Sequence, residues 1–139
     1  MIVVHATCVD VDGTAVLLRG PSAAGKSDLA LRLIDAGAKL IADDQVQLAA
    51  VRGELIASAP AQLSGKIEVR GLGIFDLDDS QLSPRARVAL VADLGPSADI
   101  TRLPHRTTCR LDEIDVPLVA LAAFESSAPA KIRMALKSW

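Results

Sequence analysis

Gly20-Pro21-Ser22-Ala23-Ala24-Gly25-Lys26-Ser27 is the stretch on which the reading of this chain turns. It fits the phosphate-cradling pattern G-x-x-x-x-G-K-[ST]. Before it runs Thr14–Arg19, apolar and strand-like; after it, Asp28–Ala36 reads as a helix. A strand, a glycine-bearing loop and a helix N-terminus together aim backbone N–H groups and the positive end of a helix dipole at one point, where a polyphosphate can settle. All eight residues are therefore expected to bind a nucleotide or phosphate. Lys26 is placed to reach the outer phosphates and the Ser27 hydroxyl to ligate the Mg²⁺ they carry. The bland alternative is an accidental glycine turn capping a helix, and the flanking strand and helix speak against it.

The 139 residues suit one domain with a substantial core. Half of them are apolar, yet Phe75, Phe124 and Trp139 are the only aromatics, so the core must be built from Val, Leu, Ile and Ala. A net charge of −2 provides no footprint for nucleic acid, and no basic stripe suits a membrane surface. The longest apolar runs, such as Leu118–Phe124, are too short to span a bilayer. The start of the chain lacks a basic region and is interrupted by His5 and Asp10, so no signal peptide is expected. Cys8 and Cys109 have no C-x-x-C partner and read as free thiols in a reducing cytoplasm. His105 and Cys109 could share a helix face as metal ligands, but two candidates do not make a site.

Along the chain, Ile2–Val9 reads as a strand, and Asp10-Val11-Asp12-Gly13 as a turn leading into the strand Thr14–Arg19. The helix after the loop sets Leu29, Ala30, Leu33 and Ile34 on one face, spaces Asp28 and Arg32 for an i,i+4 pair, and ends at Gly37. Lys39–Ala42 is a short strand ending in Asp43-Asp44, and Gln45–Val51 with Glu54–Ala59 flank Arg52-Gly53 as a hairpin. Lys66–Val69 is a strand feeding the loop Arg70-Gly71-Leu72-Gly73, and Arg87–Asp93 is a deeply buried strand. Between Gly95 and Val116 the text is polar and irregular, which predicts a mobile region. Ala128–Ser138 carries Ile132, Ala135 and Leu136 at helical spacing. The expected fold class is α/β: residues 1–139 as a single P-loop domain with a mixed β-sheet.

Phosphoryl transfer needs phosphates held in line, a metal and a group to receive the nucleophile's proton. Asp43 and Asp44 end an apolar strand 16 and 17 residues beyond Ser27, the distance a helix and a turn cover before the chain returns beside the loop. If the strand persists through both, their side chains point to opposite faces and only one meets the metal or nucleophile. Spacing alone does not say which. Glu68 and Arg70 are two apart and share a face, either as metal ligand and phosphate contact or simply as an ion pair. His5 lies on the strand before the loop's own strand, within reach of the phosphates, or is a satisfied core histidine.

With those residues in hand, the chain resembles the catalytic domain of HPr kinase/phosphorylase, in a short form without an N-terminal domain. Three blocks carry the likeness: His5 with Gly20–Ser27; Leu40-Ile41-Ala42-Asp43-Asp44; and Ile67-Glu68-Val69-Arg70-Gly71-Leu72-Gly73-Ile74, which is close to the family signature. They lie within residues 1–77. The resemblance implies a PEP-carboxykinase-like variant of the P-loop fold. It implies that ATP, or in some members pyrophosphate, phosphorylates a serine of the phosphocarrier protein HPr, and that inorganic phosphate reverses the reaction. It implies that His5 and Lys26 contact phosphates, that Ser27 and Glu68 hold Mg²⁺, and that Asp44 is the base, with Asp43 beside it. An arginine of the later half is expected to assist, and Arg102 is the choice here. A homo-oligomer is implied too, since the family tends to form hexamers.

Two departures stand out. Longer members carry an Arg-Pro-Gly-Arg-Asn-like stretch tied to dephosphorylation, where this chain reads Ala122-Ala123-Phe124-Glu125-Ser126-Ser127-Ala128-Pro129, without arginine. That bears on the phosphorylase half and leaves the kinase half less affected. Ala23 stands where many relatives have glycine. Two other function classes fit the same loop: a kinase of a small-molecule hydroxyl, with Gly95–Val116 as its lid, and a non-catalytic ATP-sensing module.

Overall fold

The run Thr14–Arg19 is apolar at four successive positions because both of its faces are buried, and the rest of the architecture is arranged around it. A computed structural model describes residues 1–139. The elements are β1 (Ile2–His5), β2 (Thr7–Val11), β3 (Thr14–Arg19), α1 (Lys26–Asp35), β4 (Lys39–Ala42), β5 (Gln45–Val51), β6 (Glu54–Ser58), β7 (Lys66–Val69), β8 (Gly73–Asp76), β9 (Arg85–Leu94), β10 (Thr107–Leu111), β11 (Ile114–Leu121) and α2 (Ala128–Ser138). Nine strands form one mixed sheet in the order β1-β5-β6-β9-β3-β2-β4, to which β11 and then β10 add at the later part of β9. The hairpin β7–β8 stands apart as a second sheet.

The long strand β9 is the junction. Its start pairs antiparallel with β6, its end pairs parallel with β11, and its other edge pairs parallel with β3. A register shift opposite Ala15 and Val16 inserts Ala89 as an extra residue, so Val88 and Val91 face one way while Leu90, Ala92 and Leu94 face the other. Two apolar clusters result. One joins Val16 and Leu18 to Leu29 and Leu33 of α1 and Ile132 of α2. The other joins Ala15 and Leu17 to Leu48, Leu55 and Ala57, so the β1–β5–β6 wing folds over the face that the helices leave bare.

Helix α1 buries Leu29, Ala30, Leu33 and Ile34 as its spacing predicts, and burying each large side chain stabilises the fold by roughly 1.5–3 kcal/mol. It ends in a Schellman motif. Gly37 at φ 108° lets its own N–H reach Ile34 O at 3.0 Å and the Ala38 N–H reach Leu33 O at 3.0 Å. The Asp28–Arg32 pair forms at 2.9 Å.

Three expectations need correction. Ile2–Val9 is not one strand, because the chain changes partners at Ala6, whose N–H donates to Asp44 O; β1 pairs β5 while β2 pairs β3 and β4. The turn after β2 is Asp12-Gly13, both at positive φ, with β2 continuing through Val11. The 95–116 region is only partly irregular: Thr107–Leu111 is a strand, and Asp112-Glu113, at φ 45° and 67°, turns it back into β11. The hairpin partner β8 carried no usable alternation, since all four of its residues are exposed.

Candidate functional site

The parallel strands β3, β9 and β11 end at the same rim of the sheet, where open α/β sheets place their ligands. At that rim Arg19 and Asp93 face each other across β3 and β9, joined at 2.7 and 3.0 Å, and the hydrogen bonds that the guanidinium donates to the Asp93 carboxylate raise the Arg19 pKa above its ordinary value. This pair staples the strand ends just before the 20–27 loop begins.

The loop's shape follows from its small residues. A Cβ on Gly20 would lie 2.9 Å from Ala24 Cβ and 3.0 Å from Leu94 O, so the tight turn excludes any side chain there. Gly25, at φ 96°, caps α1 without a side chain to satisfy it. The first N–H groups of α1 therefore have no partner within the helix and point out of the loop. Ala23 adopts φ 66°, a conformation glycine would hold with less strain. The Lys26 ammonium folds back on its own loop, donating to Gly20 O at 2.6 Å and Pro21 O at 3.0 Å. An anion in the cradle would offer that charge a stronger partner than two neutral carbonyls.

An open cleft of about 520 Å³ lies beside this loop, lined by Ser22, Ala23, Gly25, Lys26 and Ser27 on one side. His5, Thr7, Asp43, Asp44, Glu68 and Arg70 also line it. Gly20, Pro21 and Ala24, also expected to bind, do not line the cleft. Arg102 is not brought to the cleft, since it lies in the exposed 101–106 segment between β9 and β10.

Both members of the Asp43-Asp44 pair line the cleft because β4 ends at Ala42 and Asp44 takes φ 72°, so the opposite-face expectation for a continuing strand does not apply. Their environments differ. Asp43 is buried and accepts three hydrogen bonds: from Thr7 Oγ1 at 2.8 Å and Ser27 Oγ at 2.8 Å on Oδ1, and from the Glu68 N–H at 3.0 Å on Oδ2. It thus ties β2, α1 and β7 together at one carboxylate. Asp44 is exposed, and its one close partner is His5, with Nδ1 3.2 Å from Oδ1. Glu68 and Arg70 both reach the cleft without forming an ion pair, and the Glu68 carboxylate is unpaired.

Ser27 Oγ and the unpaired Glu68 carboxylate are hard oxygen donors of the kind Mg²⁺ takes, and Ser27 keeps lone pairs free while donating its proton to Asp43. No three His, Cys, Asp or Glu side chains stand close enough to cage a metal by themselves. Thr7 and Phe124 escaped the sequence reading. The signal for Thr7 was a hydroxyl between Ala6 and Cys8 in an otherwise apolar run; for Phe124 it was its rarity as an aromatic.

Residues 1–126 match the family described as HPr Serine kinase C-terminal domain. The chain belongs to this family. An HPr kinase/phosphorylase of Clostridium tetani is 49% identical over 73 residues, covering 52% of this chain and 24% of that protein. One from Exiguobacterium is 32% identical over 131 residues, covering 87% of this chain and 42% of that protein. The family member thus spans less than half the length of these curated relatives. The solved structure of the HPr(Ser) kinase/phosphatase from Coxiella burnetii superposes with a TM-score of 0.87 at 27% identity, over 99% of this chain and 89% of that one.

Proposed function

We propose that this chain uses Mg-ATP to phosphorylate a serine of the phosphocarrier protein HPr. One observation carries the reading. Lys26, His5, Asp44 and Glu68, from four separate segments, converge on a single cleft at the uncapped start of α1. Family membership and the curated relatives named HPr kinase/phosphorylase support it. In this reading the 20–27 segment is a P-loop, and residues 1–139 form one catalytic domain of the PEP-carboxykinase-like variant of that fold. A cytoplasmic homo-oligomer, free of nucleic acid and membrane, is the setting it implies.

The geometry supports the roles that the resemblance implies. The unpartnered N–H groups of the loop and α1 cradle the β- and γ-phosphates, and Lys26 turns from its carbonyls to meet them. Ser27 and Glu68 would hold Mg²⁺, which when bound neutralises charge on the transferring group. Asp43, with both oxygens occupied by donors, positions Ser27 and the Glu68 backbone. Asp44 is left free to take the serine proton, and His5 orients it from 3.2 Å or meets phosphate beside it. The same carboxyl returns the proton when phosphate attacks phosphoserine. Residues 122–129 carry no arginine where the resemblance expects the segment tied to dephosphorylation, so the kinase direction is the principal one proposed.

The small-molecule alternative needs a lid, yet no residue of 95–116 lines the cleft and much of that segment is committed to β10 and the start of β11. The test is incubation with Mg-ATP and HPr, read by intact mass. One added phosphate on HPr is expected, and its later removal by inorganic phosphate would reveal the reverse activity. Turnover of ATP only on small alcohols, or no transfer to any acceptor, would overturn the reading.

A further inference from the structure

The cleft holds one aromatic side chain. Of the three in the chain, Phe75 and Trp139 lie elsewhere, while Phe124 lines the cleft and is 67% exposed. An exposed phenylalanine in a polar cleft is a preformed apolar surface in need of a partner.

Its placement is fixed from two sides. The loop after β11 rises at the same rim as the 20–27 loop, because β3 and β11 both run parallel to β9. There the Cζ and Cε1 edge of the ring sits over Gly25, within 3.2 Å of where a Cβ would stand, so the ring borders the phosphate cradle itself. The turn that carries it is pinned. Arg32 of α1, already paired with Asp28, donates to Ala123 O and, at 3.2 Å, to Glu125 O, bracketing Phe124. Ala123 is buried, and the Glu125 N–H closes on Ala122 O at 3.2 Å. An aromatic ring held rigidly on one side and open on the other is the arrangement on which a heterocyclic base stacks.

We propose that Phe124 is the base platform of the nucleotide site, stacking on the purine of ATP while the 20–27 loop holds its phosphates. The proposal rests on the nucleotide reading above and adds the residue that would favour a nucleoside triphosphate over bare polyphosphate. Arg32 is its positioning residue, acting through the 123–125 carbonyls.

The experiment compares Mg-ATP with Mg-tripolyphosphate by calorimetry on wild type, Phe124→Ala and Phe124→Trp. The ring is exposed, so the fold should survive, and circular dichroism confirms it. Phe124→Ala is expected to weaken ATP about 5- to 150-fold and leave tripolyphosphate unchanged, with Phe124→Trp restoring ATP. Unchanged ATP affinity in Phe124→Ala overturns the platform while sparing the proposed function. Equal loss for both ligands also overturns it, since the ring would then be shaping the loop rather than meeting a base. Wild type binding neither ligand would sink the nucleotide reading, and the platform with it.

Discussion

Thr7→Val tests the proposition that one buried carboxylate organises the cleft. Thr7 is completely buried on β2, and its hydroxyl donates to Asp43 Oδ1 at 2.8 Å. Valine keeps the shape and deletes the donor. A hydrogen bond to a charged partner contributes about 1.5–3 kcal/mol, and Ser27 and the Glu68 N–H remain to satisfy Asp43, so the loss should fall within that range rather than above it. At about 3–4 °C per kcal/mol for a chain of this size, the melting temperature should drop by about 5–12 °C. Phosphotransfer should weaken as well, because the Asp43 carboxylate that aligns Ser27 and β7 gains freedom. Thr7→Ser is the control. It keeps the donor and loses one methyl group, costing about 0.8 kcal/mol of burial, and should transfer phosphate normally. Urea unfolding of Thr7→Val, Asp43→Asn and the double variant then isolates the coupling. A Thr7→Val protein within about 0.5 kcal/mol of wild type, or additive single effects, would refute the claim that these groups act together.

Gly25→Ala should abolish nucleotide binding with little unfolding, because its methyl would meet Ala123 Cβ at 2.9 Å and Phe124 Cζ at 3.0 Å in a left-handed backbone; normal ATP affinity by calorimetry would contradict the loop geometry. Lys26→Ala should weaken ATP binding itself, whereas Asp44→Asn should stop transfer and leave binding nearly intact; parallel loss of both in Asp44→Asn would remove its role as base. Burial, reinforced by the Asp10 charge, pushes the Cys8 thiol well above its ordinary pKa, so the folded state holds that proton more tightly than the unfolded state. Its contribution to stability is complete below the unfolded thiol value of about 8.5 and declines as pH rises past it, by up to about 1.4 kcal/mol per pH unit. Urea midpoints between pH 8 and 10 should therefore fall more steeply in wild type than in Cys8→Ala, and equal slopes would contradict it.

Local pattern was enough for much of the fold. The boundaries of β4, β5, β7 and α2 and the buried face of α1 follow from alternation, helical spacing and turn glycines, each written within a few residues. What could not be read locally was partner choice. Nothing between Ile2 and Val9 announces that the chain leaves β5 for β3 at Ala6, because both halves are equally apolar and the switch depends on where Asp44 brings its carbonyl. The Gly95–Val116 stretch looked irregular because Thr107–Leu111 is an edge strand exposed over most of its length and carries little hydrophobic signal.

The same limit explains the aspartate pair. Periodicity could show that Asp43 and Asp44 return beside the loop, and a straight strand would have sent them apart. Their actual placement depends on one backbone angle, φ 72° at Asp44, which ends the strand and leaves both carboxyls in the cleft. Aspartate tolerates that conformation better than most residues, so the second position of the pair is where such a reversal costs least. The burial that follows gives Asp43 three donors from three elements and Asp44 only an exposed histidine. Asp43, with donors on both of its oxygens, has no room to meet a substrate hydroxyl, whereas the Asp44 carboxylate stands open to the cleft. Under the proposed function, the distinction between brace and base therefore arises from folding: substituting Asp43 is expected to disturb the site's alignment, and substituting Asp44 to stop transfer.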